Sequence, residues 1–439
     1  MYKDIKEAAA ALEPLDGEVY LGIDIGTTSI SAAVTGGAGT RAVSVPNGCA
    51  RPAQNGFYTQ DAEGIAGRAS ALADAMHARF PGVRRIGFDG QMHGIVYLDS
   101  AGKAVSDLIT WQDGRGDMPL PDGGTACEKI RRLTGYRVYS GYGTATHLYN
   151  AGRGLVPANA VKFCTIGDYA AMRLCGTAEP YIHPSNAASL GLFDIKNARF
   201  DLEAARDLGL DASFFPEVCA SVREIGKYRG IPVNAAIGDN QAAYYGVMPE
   251  GGVLCNFGTG SQISVAVDDY REIPGIECRP YVGGRYILSG SALCGGRAYA
   301  LLERFFRAFT GGDEPVYRRL DELAEKGYAE GTALEVSTLF CGTREDPSLR
   351  GSVTGIDENS FTPEALAYGT LRGMVGELYG YFKRMGLPDP ASVTASGNAA
   401  RKGKTLCRVL FDVFGCPVAV SEAREEAACG AALLAKNGE

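Results

Sequence analysis

No run in this 439-residue chain is long and apolar enough to cross a bilayer, and 46% apolar residues with a mean hydropathy of -0.06 are values of a globular protein. Its start, MYKDIKEAAAALEPLDGEVY, places charge where a signal peptide needs an apolar stretch, so a cytoplasmic location is expected, with no membrane partner. Positive charge is also short: 43 Lys and Arg against 51 Asp and Glu leave a net charge of -8, which disfavours a nucleic-acid partner. There are four histidines, scattered, and the 12 cysteines include no CxxC pair, so a zinc site is not expected. Without a signal peptide the cysteines read as reduced packing residues. Two familiar phosphate-binding loops, GxxxxGK[ST] and a GxGxxG joining strand to helix, are missing as well, so any phosphate must be held in another way.

What is present is a motif in duplicate. GIDIGTTSISAAV, Gly22 to Val34, runs from an apolar strand through Asp24 into a turn of Gly26, Thr27, Thr28 and Ser29, then into a second strand. CNFGTGSQISVAV, Cys255 to Val267, repeats the pattern with Gly258, Thr259, Gly260 and Ser261 at its tip. Such a turn is ordinary surface geometry when single. Two copies far apart suggest an internal duplication, with each half presenting one tip to a shared cleft. Glycine frees consecutive turn amides to form an anion-binding nest, and the hydroxyls add donors for phosphate oxygens. A carboxylate beside such a nest repels phosphate unless a cation lies between, so Asp24 points to Mg2+ and a nucleotide.

The length exceeds what one core usually supports, and two domains are expected, with the boundary near residues 238–252. AEGIAGRASALADAMHARF has helical periodicity; VRRIGFDG reads as a strand and turn; AVKFCTIGDYAAMRLCG and IPVNAAIGDNQAAYYGV each read as a strand leading into a helix. In the second half, RYILSGSA is a predicted strand, while GGRAYALLERFFRAF and EALAYGTLRGMVGELYGYFKRM are predicted helices. SVTASGNAARKGKTLCRVLFDVFGCPVAV is predicted as strand, glycine turn, one helix and strand, its basic ARKGK cluster being a solvated helix start. Alternating strands and helices place both halves in the α/β class.

The two hairpins, GDNQAA and ASGNAARK together resemble the FGGY carbohydrate kinases of the actin-like ATPase superfamily, from about Tyr20 to the C-terminus. FDGQMHGIVYLD with ITWQDGR is similar to the ketose-using branch that includes xylulokinases and sedoheptulokinases. SNAASLGLFDI, GGRAYALLERFF and LEVSTLFCGTREDPSLRGSVTGI resemble sedoheptulokinases more than xylulokinases. A departure is GYGTATHLYN, which has His147 and Asn150 in a stretch where xylulokinases commonly carry a Lys and a Trp.

The resemblance implies an α/β fold of two actin-like (ribonuclease H-like) domains with an interdomain cleft. Residues 1–245 would form the sugar-binding domain with the first phosphate hairpin, and 246–439 the nucleotide-binding domain. It implies ATP and Mg2+ as cofactors and transfer of the γ-phosphate to the terminal primary hydroxyl of a ketose. Sedoheptulose, giving sedoheptulose 7-phosphate, is favoured over D-xylulose, giving xylulose 5-phosphate. Asp239 is implied as the base and, with Asp24, as a metal carboxylate; without the resemblance it reads as a helix N-cap. Gln91, Met92, His93, Trp111, Asp113, Asn186 and Asn240 are implied at the sugar, although Trp111 also suits a core position, Asp113 an ion pair with Arg115, and Asn186 a loop amide. Gly397 and Asn398 are implied beside adenine, with Gly295 and Gly296 giving the nucleotide room. A homodimer is left open, as is the competing reading of an actin-like module that binds nucleotide without phosphorylating a sugar.

Overall fold

A computed structural model describes residues 4–219, 222–248, 251–331, 334–343 and 346–438, so residues 249 and 250 of the expected boundary and residues 344 and 345 of the long LEVSTLF stretch lie outside the described residues. The chain divides into two compact units. One is Met1–Pro249 with Arg279–Arg285 and Ala423–Glu439, and the other is Glu250–Cys278 with Tyr286–Glu422.

In the first unit the strand Val19–Ile25 pairs antiparallel with Ser29–Gly36, which pairs antiparallel with Gly39–Pro46. On its other side Val19–Ile25 runs parallel to Val83–Gly90, and Val83–Gly90 runs parallel to Ile231–Asn234. In the second unit Val253–Phe257, Ser261–Val267 and Tyr286–Ala292 form the same antiparallel meander, with Val393–Ser396 and then Val418–Val420 added parallel. In both units the first strand lies between the second and the fourth, an arrangement that identifies the duplication in the backbone as well as in the motif.

Strand alternation decides what each face of the first sheet meets. Leu21, Ile23 and Ile25 join the helices Ala62–Arg79 and Ile166–Cys175 in one apolar core. Gly22 faces the other way, and a Cβ there would strike the carbonyl of Ala428, so the helix Glu426–Asn437 lies directly on the strand. That helix is built from Ala428, Cys429, Gly430, Ala431 and Ala432 on its buried side, and it also packs on Asp239–Val247. Residues 95–218, inserted between two parallel strands, carry a separate core that includes Ile95, Tyr97, Leu148, Phe163 and Leu190.

All 12 cysteines are free thiols. Among the described residues no helix is long and apolar enough to cross a membrane. One predicted element differs: the single helix expected after Val393–Ser396 is two, Asn398–Lys402 and Lys404–Phe414. Gly403 separates them at φ -96°, ψ 87°, outside the helical region, so Arg401 and Lys402 close a short helix instead of opening a long one.

Candidate active site

Three carboxylates stand at the ends of three neighbouring parallel strands of the first unit. Asp24 and Asp89 are register partners on adjacent strands. Ile237, two residues before Asp239, is paired with Asp89 on the other side. In open parallel sheets the carboxyl ends of strands are where ligands bind, because the chain turns away there and leaves backbone and side chains accessible. Asp24 and Asp239 stay partly accessible although densely surrounded, and Asp89 is sealed.

Burial pushes the Asp24 carboxyl up to about 7, with Asp239 and Glu425 adding like-charge repulsion and the contact with Asp89 opposing them. Burial likewise raises Asp239 to about 6, against the Asn240 N–H and the Arg279 charge, which favour the anion. Asp89 is held well above the carboxylate range by burial and then by Asp24. Neither Asp89 oxygen has a donor among the described residues. Two carboxylates are both acceptors, so the Asp24 contact becomes a hydrogen bond only when one of them carries a proton.

Asp239 is the first residue of the helix Asp239–Val247, whose N-cap is Gly238, so its side chain is not the cap. Its Oδ1 accepts from the Asn240 N–H at 2.7 Å. The preceding residues are braced from behind: Ser185 Oγ accepts from the Gly238 N–H at 3.0 Å, and Asn186 Nδ2 donates to the Ala236 carbonyl at 3.1 Å. Asn186 is 1% exposed, so it stands behind the strand that delivers Asp239.

At the first hairpin tip three successive carbonyls are tied into the protein. Gly26 O accepts from Asn47 Nδ2 (2.8 Å), Thr27 O from Gln60 Nε2 (2.8 Å) and Thr28 O from the Asn47 N–H (2.9 Å). In a trans peptide the N–H opposes the carbonyl, so the amides of Thr27 and Thr28 turn away from these bonds. Thr27 Oγ1 also receives Trp111 Nε1 at 3.0 Å and contacts Gln91 Oε1 at 3.4 Å. Trp111 is 46% exposed, which removes the core-filling reading. Gln91 itself is buried and donates to Gln60 Oε1 at 2.9 Å.

His93 adopts φ 74°, uncommon for a residue with a side chain and characteristic of functional sites. Ser189 holds it twice: its Oγ accepts from the His93 N–H at 3.0 Å, and its carbonyl lies 2.8 Å from Nδ1. A carbonyl only accepts, so Nδ1 carries the hydrogen. The ring stacks on Tyr142 at 4.5 Å between centroids. Asn240 Nδ2 lies 3.8 Å from Met92 Sδ, which brings the start of the helix Asp239–Val247 and the GQMHG turn together.

Asp113 is buried and accepts from Arg115 Nε (2.7 Å), Nη2 (3.0 Å) and N–H (3.0 Å) and from the Tyr58 N–H (2.9 Å). The network continues through Asn150 and Tyr97 to His147, with Tyr97 Oη 2.9 Å from His147 Nδ1. Burial pushes His147 down to about 4. Folded His147 therefore refuses a proton that an unfolded histidine, with pKa about 6.5, accepts. Its contribution is whole above pH 6.5 and is lost as pH falls toward 4, by about 2 kcal/mol at pH 5. Urea unfolding at pH 7 and pH 5 should show a smaller acid loss in His147→Gln by that amount. Equal losses would refute the assignment.

In the second unit the hairpin tip and a helix start form one piece. The Gly296 N–H donates to Gly258 O at 2.9 Å and the Arg297 N–H to Thr259 O at 3.0 Å. A Cβ on Gly296 would stand 2.6 Å from Gly258 O, and one on Gly295 would strike Gly260, so protein packing already requires these glycines. Gly397 has φ 91°, and a Cβ there would strike the Phe257 carbonyl. This seats the turn before Asn398, an exposed residue, against the strand that enters the hairpin.

Sequence reasoning passed over Asp89, Asn47, Gln60, Tyr142 and Ser189. Asp89 had a signal: GFD at 87–89 repeats GID at 22–24, and the two triplets are in register. Among the described residues no group of three or more His, Cys, Asp and Glu side chains is arranged to hold a metal, so a cation here would draw on carboxylates in ones or twos.

Comparison with known proteins agrees with the duplicated fold. The chain is 26% identical to sedoheptulokinase of Mus musculus over 95% of its length and 97% of the relative's, and 25% identical to a xylulose kinase of Staphylococcus xylosus over 95% and 90%. The crystal structure of xylulose kinase from Rhodospirillum rubrum superposes with a TM-score of 0.81 at 22% identity, covering 96% of this chain and 90% of that one, and so supports the two-domain actin-like α/β fold. Family models for the N-terminal domain of the FGGY carbohydrate kinases match residues 19–246, and for the C-terminal domain residues 253–437. With both models matched and together spanning most of the chain, the chain belongs to the FGGY family of carbohydrate kinases and is a sugar kinase.

Proposed function

We propose that the protein is an ATP- and Mg2+-dependent ketose kinase that prefers sedoheptulose and yields sedoheptulose 7-phosphate. The observation that carries the kinase chemistry is Asp239, at a strand-to-helix junction where its side chain does not serve as the cap, on the strand-end row that also holds Asp24. In this reading the sugar hydroxyl oxygen attacks the γ-phosphorus, its proton passes to Asp239, and ADP leaves. Repelling carboxylates, one with orphaned buried oxygens, fit a divalent cation, which Asp24 and Asp239 would hold. When bound, it neutralises phosphate charge.

Residues 1–245 serve the sugar and the first phosphate hairpin, and 246–439 the nucleotide. Gly26, Thr27, Thr28 and Ser29 on one tip, and Gly258, Thr259, Gly260 and Ser261 on the other, take phosphate oxygens. The Gly397–Asn398 turn takes adenine, and Gly295 and Gly296 support the second tip. His93, with an acceptor at Nε2 in its neutral form, Met92, Asn240 and Trp111 meet the sugar. Gln91 and Asp113 hold that surface in shape, and Asn186 braces the strand before Asp239.

Sedoheptulose is favoured because the mouse and human relatives named sedoheptulokinase match over 97% of their own length, against 90% for the xylulose kinase of Staphylococcus xylosus. Its two additional hydroxyl-bearing carbons call for partners that a five-carbon ketose leaves unpaired. ATP consumption should be measured with sedoheptulose, D-xylulose, ribulose, fructose and glycerol under identical Mg-ATP. The expected result is a kcat/KM for sedoheptulose at least about tenfold above that for D-xylulose. Equal values, or a preference for xylulose, would overturn the sugar assignment and favour a xylulokinase.

A further inference from the structure

Asp89 occupies the middle of the strand-end row. Its strand, Val83–Gly90, lies between Val19–Ile25, which carries Asp24, and Ile237–Gly238, which delivers Asp239. Register partners on adjacent strands project to the same side, about 4.8 Å apart. The Asp24 and Asp89 carboxylates therefore stand side by side. Asp89 is 0% exposed, and both its oxygens lack a hydrogen-bond partner among the described residues. A buried carboxylate is normally paired with a cation or saturated by donors, because desolvation of its charge is otherwise uncompensated. Asp89 instead faces Asp24, Asp239 and the thiol of Cys429, and Asp24 in turn faces Glu425. The positive charge of Arg279 acts on the row at Asp239.

We propose that Asp89, in place of the Asp239 assigned above, joins Asp24 as the second carboxylate of the divalent-cation site and positions the ion between Asp24 and the phosphates, leaving Asp239 free to take the sugar's proton. The proposal rests on the metal-dependent kinase reading above. Two orphaned oxygens beside a second carboxylate supply the charge and the vacant acceptors that such an ion takes up. Mg2+ commonly uses one or two carboxylates and completes its shell with water and phosphate oxygens. That agrees with the lack of any enclosing group of three or more ligating side chains among the described residues. The rival account is that Asp24 and Asp89 merely share a proton and never see the ion. An Asn at position 89 would then reproduce the contact, because its amide donates to Asp24 as the protonated acid would.

The two accounts separate by direct metal binding. Mn2+ is titrated into the full-length protein, alone and with a nonhydrolysable ATP analogue, and free Mn2+ is followed by electron paramagnetic resonance. Wild type, Asp89→Asn and Asp89→Ser are compared, with circular dichroism and thermal melts recorded for each. The proposal expects both folded variants to bind Mn2+ about 10- to 100-fold more weakly, the usual loss when a supporting group of a metal site is removed. The Mg2+ concentration giving half-maximal turnover should rise by a similar factor while KM for the sugar holds. A folded Asp89→Asn with wild-type Mn2+ affinity would overturn the proposal and leave the kinase reading intact. A wild-type protein that binds no Mn2+ with or without nucleotide would overturn both. Because the Mn2+ titration contains no sugar, it separates these outcomes whichever ketose the enzyme prefers.

Discussion

Replacing Asp239 by Asn should leave ATP and sugar bound and lower turnover by about 10²- to 10⁴-fold, the range a positioned general base contributes. Asparagine preserves the shape of the side chain but cannot take the sugar's proton. The surroundings argue that the loss will be in chemistry and not in fold. Asp239 is not the helix cap, and the segment ahead of it is held independently by Ser185 and Asn186. An Asn side-chain oxygen can still accept from the Asn240 N–H that Asp239 Oδ1 accepts now. The pH profile supplies a second readout. Burial raises the Asp239 carboxyl to about 6, and the base works only when deprotonated, so wild-type kcat/KM should fall about tenfold per unit as pH drops below 6. The residual activity of the Asn variant should lack that limb. Turnover within a few-fold of wild type, or an unchanged acid limb, would remove Asp239 from the role of base.

The duplicated hairpins were legible because they combine two local signals, an apolar strand and a Gly-Thr-Ser turn, that need no knowledge of distant contacts. The same holds for the long helix Pro363–Met385, with Thr362 at its N-cap and Gly386 at its C-cap. The expectation of a base at Asp239 came only from the family resemblance, since an aspartate before a helix reads locally as a cap; the structure shows that Gly238 holds the cap position instead. What stayed hidden depended on register and on returns of the chain. Asp89 looks like the end of a buried strand until the pairing sets it beside Asp24. Tyr142 and Ser189 reach His93 from stretches about 50 and 96 residues further along, which no short pattern specifies. The last helix packs in the first unit because Gly22 permits the approach, a consequence of a missing side chain 406 positions earlier than Ala428. Gly403 broke a helix that apolar periodicity alone would continue.

Arg115→Ala should destabilise the first unit by about 3–5 kcal/mol, the cost of leaving one member of a buried ion pair without its partner. The Asp113 side chain is 0% exposed and that of Arg115 7%, so water cannot replace the lost donors. Among the described residues three of the four donors to Asp113 come from Arg115, two of them from the guanidinium, and alanine keeps only the backbone N–H. The truncation also removes the guanidinium from the face of Phe57, 4.3 Å away, and from Asn150 Oδ1 at 2.8 Å. Removing both charges at once, in Asp113→Asn with Arg115→Met, should recover a large part of the loss, because no isolated charge is then buried. Urea unfolding of the two variants and of each single change, read as a double-mutant cycle, measures the coupling. The pair also anchors the turn that carries Trp111, whose indole meets Thr27 at the first hairpin tip. Its loss should therefore raise KM for sugar in Arg115→Ala, with partial return in the double variant. A single variant within about 1 kcal/mol of wild type would mean that the pair contributes no more than an exposed ion pair does, despite its burial.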